Sequence, residues 1–118
     1  MQLKPGLVVV LPDPRVLPKG KPKWHICVCP ERRLFLRINS RPLWKPWHFI
    51  EASENAFLDH DSYVELATLH LFAESELRAA KEIGEMTGIE KIKLAFAARE
   101  VETLNDEQKD LIFERLAL

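Results

Sequence analysis

Over the first 72 residues, apolar and polar positions alternate in short runs whose period of two is typical of β-strands. The first run is continuous, rich in β-branched residues and bounded by a glycine and a proline, so it predicts a buried strand. The second run alternates and predicts a half-buried strand with Cys27 and Cys29 on the same face. We predict strands at 6–12, 24–29 and 34–40, within 49–57, and at 62–72.

After residue 72 the apolar period changes to that of helices. A short helix is predicted over 73–84, with Ser75 as its N-cap and Gly84 as its stop. A second helix is predicted over 87–101, because Thr87 and Glu90 have the spacing of a capping box. Its apolar stripe consists of Ile89, Ile92, Phe96 and Ala97.

The last predicted helix covers 105–118 and begins at Asn105, a good N-cap that is followed by acids in the first turn. Its buried face is predicted to contain Leu111, Ile112, Phe113 and Leu116. Strands first and helices last predict an α+β fold, with a small bent antiparallel sheet or barrel and helices packed on one side. The absence of helices between the strands argues against a parallel sheet.

The chain has 118 residues and a net charge of −1, which fits a single domain spanning 1–118. Its two cysteines lie two positions apart on one strand, where a mutual disulfide is awkward. With no signal peptide in the sequence, we expect reduced thiols in a cytoplasmic protein. No apolar run approaches the ~20 residues that would cross a bilayer, so no membrane association is expected.

The small net charge hides two halves of opposite sign. Residues 1–50 contain ten Lys and Arg against two acids, a balance of +8. Residues 51–118 contain seven bases against sixteen acids, a balance of −9. A basic half suits a polyanion or an acidic protein segment. The alternative is a dipolar protein whose two halves interleave in space.

Two proline-rich segments carry much of the positive charge. The first, 12–23, contains Arg15, Lys19, Lys21 and Lys23 on a backbone that its prolines keep extended. Such a loop can follow a phosphodiester backbone, or it can be a solvated loop. The second, 39–48, places Arg41 and Lys45 beside Trp44, Trp47 and His48. Aromatic rings that stack on bases, together with cations for phosphates, suit single-stranded nucleic acid, although the tryptophans can equally cap a small core.

The segment "FLDHDSYVEL", 57–66, places Asp59, His60, Asp61 and Ser62 at the mouth of a predicted strand. Three interpretations are open: a metal site, an acid/base or RNA-contacting site, and a turn whose aspartates bond nearby backbone amides. In extended backbone the two carboxylates face away from His60, which disfavours a metal site built from this segment. We therefore expect no metal and no cofactor.

The order of these features resembles the PemK/MazF-like toxins of bacterial toxin–antitoxin systems. The similarity covers nearly the whole chain and depends mainly on the strings "LRINS" and "FLDHDSYV". It implies an SH3-like barrel, a homodimer, an antitoxin partner and metal-independent cleavage of single-stranded RNA. By position, Lys21, Lys23 and His25 fall at the family's entrance motif and Ser40 at the end of its third strand. The family's Arg-Arg-Pro entrance is replaced here by Lys-Pro-Lys-Trp-His, and Lys is a poorer bidentate clamp for phosphate.

The resemblance and the titratable residues together give a set of candidate catalytic groups: His25, Ser40, His60 and Asp61. The candidate RNA-binding residues are Arg15, Lys19, Lys21, Lys23, Arg41, Trp44, Lys45, Trp47 and His48. One of the histidines or Asp61 would deprotonate a ribose 2′-OH, and nearby cations would stabilise the charge that develops on the phosphate. The alternatives are a catalytically silent SH3-like module that binds nucleic acid or protein, and a poison of a large enzyme built on the same barrel.

Overall fold

Seven strands in one antiparallel sheet form the centre of the molecule, within residues 1–13, 15–16, 20–43 and 45–118, which the computed structural model describes. The strands are β1 Leu7–Pro12, β2 Pro22–Cys29, β3 Leu34–Asn39, β4 Trp47–Ile50, β5 Ser62–Glu65, β6 His70–Leu71 and β7 Lys81–Glu85. The helices are α1 Glu74–Leu77, α2 Gly88–Arg99 and α3 Asp106–Leu116, with a 3₁₀ turn at Ala52–Glu54. The α+β prediction, with strands before the two long helices, is confirmed.

The sheet has the order β4-β5-β3-β2-β1-β7, and β6 also pairs with β3. Its two end strands, β4 and β7, do not pair with each other in the described part of the chain, so the sheet is not closed into a barrel. All strand pairs are antiparallel, as predicted. No helix of the described residues is long and apolar enough to cross a membrane.

Both faces of the sheet are covered, which corrects the prediction that β2 is half-buried. On one face, α2 and α3 pack over a core that includes Ile26, Val28 and Leu36. The opposite face carries a smaller core that includes Phe35 and Phe72, against which Leu77 at the end of α1 packs. A strand between two layers is buried on both sides, and β2 is buried from its fourth residue, His25, onward.

The two cysteines do not share a face, because the pairing of β2 with β3 shifts register between Cys27 and Cys29. An irregularity of this kind adds a residue to one strand and re-aims the side chains beyond it. Cys29 therefore belongs to the core under the helices, and Cys27 to the opposite core. Both are free and fully buried, and burial raises the pKa of the Cys27 thiol to about 12.

The predicted helix over 73–84 is wrong in most of its length. A single turn, α1, begins after Ala73, and Ser75 lies inside it rather than at its N-cap. The chain then forms β7, which pairs with the free edge of β1. Gly84 is not a helix stop, since it lies in β7 where an added Cβ would come within 2.8 Å of Phe57 Cβ. The unpaired edge of β1 thus outweighs the local helix propensity.

The helix α2 forms as predicted, but it buries a different face. Ile89, Ile92 and Phe96 are exposed, while Leu94, Ala95 and Ala98 pack on the sheet. Glu90 is also buried, because its carboxylate accepts a hydrogen bond from Asn55 Nδ2 at 2.8 Å. Thr87 caps the helix by accepting from the backbone N–H of Glu90 at 3.2 Å, which confirms one half of the predicted capping box; the Glu90 carboxylate does not return to Thr87.

The helix α3 matches its prediction closely. Asn105 and Gln108 form a full capping box, with hydrogen bonds of 2.8 and 3.0 Å between each side chain and the other's backbone N–H. Ile112 and Leu116 are buried, and Leu111 and Phe113 are partly buried against the same core. The predicted strand over 62–72 is interrupted into β5 and β6, both of which pair with β3.

Candidate functional site

A small cavity opens at the end of the sheet where β2 begins and β3 ends. Its volume is about 210 Å³, and the loop before β5 forms its far wall. The residues around it are Pro22, Lys23, Trp24, Ile38, Ser40, Leu58, Asp59, His60 and Ser62. Three residues that were predicted separately, Lys23, Ser40 and His60, therefore meet at one cavity although they come from three segments of the chain.

Hydrogen bonding in the loop 59–62 determines which ring nitrogen of a neutral His60 carries the proton. His60 Nδ1 lies 3.0 Å from the backbone carbonyl of Asp61. A carbonyl only accepts, so Nδ1 of a neutral His60 carries the proton and Nε2 keeps its lone pair. Ser62 donates its hydroxyl to the His60 carbonyl at 3.1 Å, which ties the loop to the start of β5. The exposed imidazole can thus accept a proton at Nε2.

Asp61 supports the loop rather than the cavity. Its carboxylate accepts a hydrogen bond from the backbone N–H of Ala52 at 2.9 Å, at the start of the 3₁₀ turn. It is not among the residues around the cavity. The turn interpretation of the aspartates therefore describes Asp61, whereas Asp59 lies at the cavity wall.

A buried charged cluster lies on the face of the sheet opposite α2 and α3. Its centre is Asp13, which directly follows β1 and is fully buried. Asp13 accepts from Arg37 Nη2 at 2.7 Å and from the Arg15 backbone N–H at 3.0 Å, and its Oδ2 lies 3.2 Å from His25 Nε2. Burial alone would raise the pKa of Asp13, but the hydrogen bonds from Arg15 and Arg37 outweigh it and lower the pKa to about 2.

His25 stands directly across from Arg37 in the β2–β3 register and is fully buried. Burial lowers the pKa of its imidazole to about 4, in spite of the opposing charge of Asp13. The ring is therefore neutral near pH 7. It packs edge-on against Phe72, with 4.9 Å between ring centroids. The structure thus places this predicted catalytic residue in the interior, where it secures the base of the loop between β1 and β2.

The cluster extends along β3 to the cavity. Arg37 Nη1 lies 3.5 Å from Glu65 Oε2, and Asn39 Nδ2 donates to the same oxygen at 3.1 Å. His70 Nε2 is 3.8 Å from Glu65 Oε1, too far for a hydrogen bond, and no described residue forms one with this buried nitrogen. Burial alone would raise the pKa of Glu65, but its contacts with His70, Asn39 and Arg37 lower it overall.

Lys23 joins the charged cluster to the cavity. It is one of the residues around the cavity, and its Nζ lies 3.4 Å from Asn39 Oδ1. Partial burial lowers the pKa of its ammonium, and the positive charges of Lys21 and Arg37 lower it further. An ammonium with a lowered pKa gives up its proton more readily than an ordinary lysine.

The remaining predicted RNA-binding residues lie in different environments. Lys21, Arg41 and Lys45 are exposed, and within the described residues no carboxylate forms an ion pair with them. Lys21 and Arg41 each adjoin a cavity residue in sequence. Arg15 instead folds back, with its guanidinium over the Phe72 ring and bonded to the Leu71 carbonyl.

Trp47 and His48 are partly buried on β4. Trp47 packs edge-on against Tyr63 with 4.9 Å between ring centroids, and neither ring belongs to the two cores of the sheet. Burial lowers the pKa of the His48 imidazole, which lies at a second cavity of about 160 Å³ together with Glu90 and Lys93. The predicted RNA-binding residues Lys19 and Trp44 lie outside the described residues.

The sequence predictions missed Asp13, Arg37, Glu65 and His70 as members of one cluster. A signal was present in two strands, because Arg37 and Glu65 each interrupt an apolar strand pattern. A charged residue inside such a strand needs a partner of opposite charge. The pairing itself depends on strand register, which a single sequence does not provide.

Among the described residues, no three His, Cys, Asp or Glu side chains are grouped so that they could hold a metal ion. Comparison with protein-family models gives no match, and comparison with curated proteins gives none of significance. The function must therefore be inferred from the chain's own residues.

Proposed function

We propose that this chain is a toxin-like endoribonuclease that cleaves single-stranded RNA without a metal, at the cavity between β2, β3 and the loop 59–62. The observation that carries the proposal is the meeting of Lys23, Ser40 and His60 around one opening. Cleavage through the ribose 2′-OH uses a base, an acid and a donor to the charge that develops on the phosphate, and His60, Lys23 and Ser40 can supply these roles. The basic side chains next to the opening would hold the phosphates on either side.

The reaction would proceed by attack of the ribose on its own phosphate. His60 Nε2 takes the proton of the 2′-OH, and the 2′-oxygen forms a bond to phosphorus. The bond from phosphorus to the 5′-oxygen breaks, and the Lys23 ammonium gives its proton to that oxygen. The products are a 2′,3′-cyclic phosphate and a 5′-hydroxyl, and proton exchange with water restores both side chains.

Two features of the site favour these roles. The hydrogen bond from His60 to the Asp61 carbonyl leaves Nε2 unprotonated in the neutral ring, as a general base requires. The lowered pKa of Lys23 suits a general acid, and its four-carbon stem is flexible enough to turn from Asn39 to a bound phosphate. The Ser40 hydroxyl would donate to a non-bridging oxygen as its charge develops.

The family resemblance extends the proposal to partners and to the barrel. An antitoxin with an acidic segment would cover the exposed bases Lys21, Arg41 and Lys45 by charge complementarity. A homodimer would form through the exposed stripe of Ile89, Ile92 and Phe96 on α2, which has the i, i+3, i+7 spacing of a helix contact. An SH3-like barrel would require the loop segments to complete the closure that the sheet itself does not make.

The same stripe favours a second candidate function, a catalytically silent SH3-like module that docks on protein or nucleic acid. Large exposed apolar patches on a small domain mark interaction surfaces. A docking module would bind its target without changing it. Turnover therefore separates the two candidates.

The deciding experiment is replacement of His60 with Ala. General acid–base groups contribute roughly 10²- to 10⁴-fold, so we expect a loss of at least about 10²-fold in the rate of RNA cleavage. Mass spectrometry should find 2′,3′-cyclic phosphate ends on the wild-type products. Binding to a 2′-deoxy strand should persist in the variant, since His60 is exposed and we expect the fold to form without its side chain.

The control is Glu114→Ala, which removes an exposed side chain from α3, outside the residues around the cavity, and should keep the cleavage rate. The single change at His60 is preferable to a double change with Asp61, because loss of the Asp61 carboxylate would disturb the 3₁₀ turn. If the purified protein binds RNA but cuts none at any pH, the docking module is favoured over the nuclease.

A further inference from the structure

The two aspartates around His60 have different surroundings. The Asp61 carboxylate is occupied by the Ala52 amide, as described above. The Asp59 carboxylate lies at the cavity, and no described residue forms a hydrogen bond or an ion pair with it. A carboxylate exposed at the wall of a cavity, with both oxygens unused, is available to a ligand.

The shape of the cavity limits what that ligand can be. Its volume of about 210 Å³ lies below the range of ~300 to 1,000 Å³ typical of sites for drug-sized ligands. Pro22, Trp24 and Leu58 give it apolar walls. Phe57 supports Trp24, with 6.4 Å between ring centroids. A small opening with an aromatic wall suits a single planar ring, such as one unstacked nucleobase.

The charge of Asp59 determines which part of a nucleotide it can contact. A carboxylate repels phosphate, so it must face the base or the sugar. Its two oxygens accept two parallel hydrogen bonds, as they do from a guanidinium. Guanine offers two adjacent N–H donors, N1 and N2, on its Watson–Crick edge. Adenine, cytosine and uracil each offer one donor group there.

We infer that the cavity holds a guanine base of single-stranded RNA and that the carboxylate of Asp59 reads its Watson–Crick edge. The inference rests on the proposed function for the RNA substrate and adds base specificity to it. Trp24 and Pro22 provide the apolar walls for the ring. The neighbouring His60 then lies next to the nucleotide that carries the reacting ribose.

The test is a change of specificity in Asp59→Asn. An amide offers one acceptor and one donor, so it cannot accept from guanine N1 and N2 together, whereas it matches the donor–acceptor edges of adenine and cytosine. The probes are short strands of uridine with a single guanosine, inosine, adenosine or cytidine, 2′-fluoro at every position, so that no 2′-OH is present and none can be cleaved. We expect wild-type protein to bind the guanosine strand roughly 10- to 100-fold more tightly than the adenosine strand. Inosine, which lacks the N2 amino group, should be intermediate.

In Asp59→Asn the preference for guanosine should disappear, and the adenosine or cytidine strand should bind more tightly than in the wild type. Asp106→Asn, the same replacement on the exposed start of α3, is the control and should keep the wild-type order. Equal binding of all four strands by the wild type, or an unchanged preference in Asp59→Asn, would overturn the inference.

Cleavage of natural RNA by the same proteins separates this inference from the proposed function. If the protein cuts RNA without any preference for guanosine, the role of Asp59 is contradicted and the proposed nuclease function is retained. If the protein binds guanosine preferentially through Asp59 but does not cut, the nuclease function is contradicted and the guanine-binding cavity is retained. A protein that neither binds nor cuts any strand contradicts both.

Discussion

His25 shows how one residue on a strand acquires its role from its neighbours. Its ring contacts Asp13 on one side and Phe72 on another, with the side chain fully buried. An imidazole in such a place is kept neutral, because charging it would cost more in lost hydration than Asp13 returns. The residue therefore contributes to stability in a pH-dependent way.

The pH dependence follows from the lowered pKa. Between pH 6.5 and about 4 the unfolded chain protonates at His25 while the folded chain does not. The stability that neutral His25 gives the folded state is thus complete above pH 6.5 and is lost as the pH falls to about 4. The loss in the free energy of unfolding is about 3 kcal/mol at most. We expect the free energy of unfolding, measured with urea, to fall over this interval.

His25→Gln keeps a hydrogen-bond donor towards Asp13 but cannot be protonated. In this variant the free energy of unfolding should fall much less between pH 6.5 and 4. The control is His60→Gln, at an exposed histidine, which should keep the wild-type slope. A variant whose unfolding profile runs parallel to the wild type would show that another group carries the pH dependence. The contribution of ionised Asp13 to the free energy of unfolding is lost at lower pH, between about pH 4 and 2.

At the scale of elements, β7 is the segment where local pattern and final structure disagree. Its sequence has good helix formers, yet it pairs with β1 through Val8 opposite Gly84. Gly84 is required there because β7 passes close to Phe57. The local sequence alone does not contain this contact, since Phe57 lies on a loop more than twenty residues earlier.

We expect Gly84→Ala to destabilise the protein by about 1 to 3 kcal/mol, since the new methyl group would overlap Phe57 or push β7 from the sheet edge. Gly88→Ala is the control: it lies at the first residue of α2 with nothing within 4 Å of an added Cβ. That variant should be up to about 1 kcal/mol more stable. Equal urea midpoints for the two variants would contradict this account of β7.

At the scale of the whole molecule, the basic half keeps part of its charge available. Arg37 is neutralised by Asp13 and Glu65, and Lys4 pairs with Glu85. Lys21 and Arg41 remain exposed, and each is the neighbour in sequence of a cavity residue, Pro22 and Ser40. A strand of RNA at the cavity would therefore contact both and release counterions from its phosphates.

The salt dependence of RNA binding measures these contacts. For single strands, each phosphate contact contributes about 0.7 to the slope of log affinity against log salt concentration. Lys21→Gln combined with Arg41→Gln should therefore reduce the slope by about 1.4. Arg78→Gln with Lys81→Gln removes two exposed bases near β7 and should leave it unchanged. Equal slopes in both double variants would place the RNA elsewhere.

Alternation, capping residues and proline positions determined most of the elements, because these signals act between residues that are close in the chain. They gave the α+β class, β1 to β3, and the caps of α2 and α3. Tertiary structure decided the open sheet, the buried face of α2 and the strand β7. It also assembled the cluster of Asp13, Arg37 and Glu65 and the cavity where Ser40 meets His60. These features depend on register and on contacts between distant segments, whose free energy is not encoded in any local run of residues.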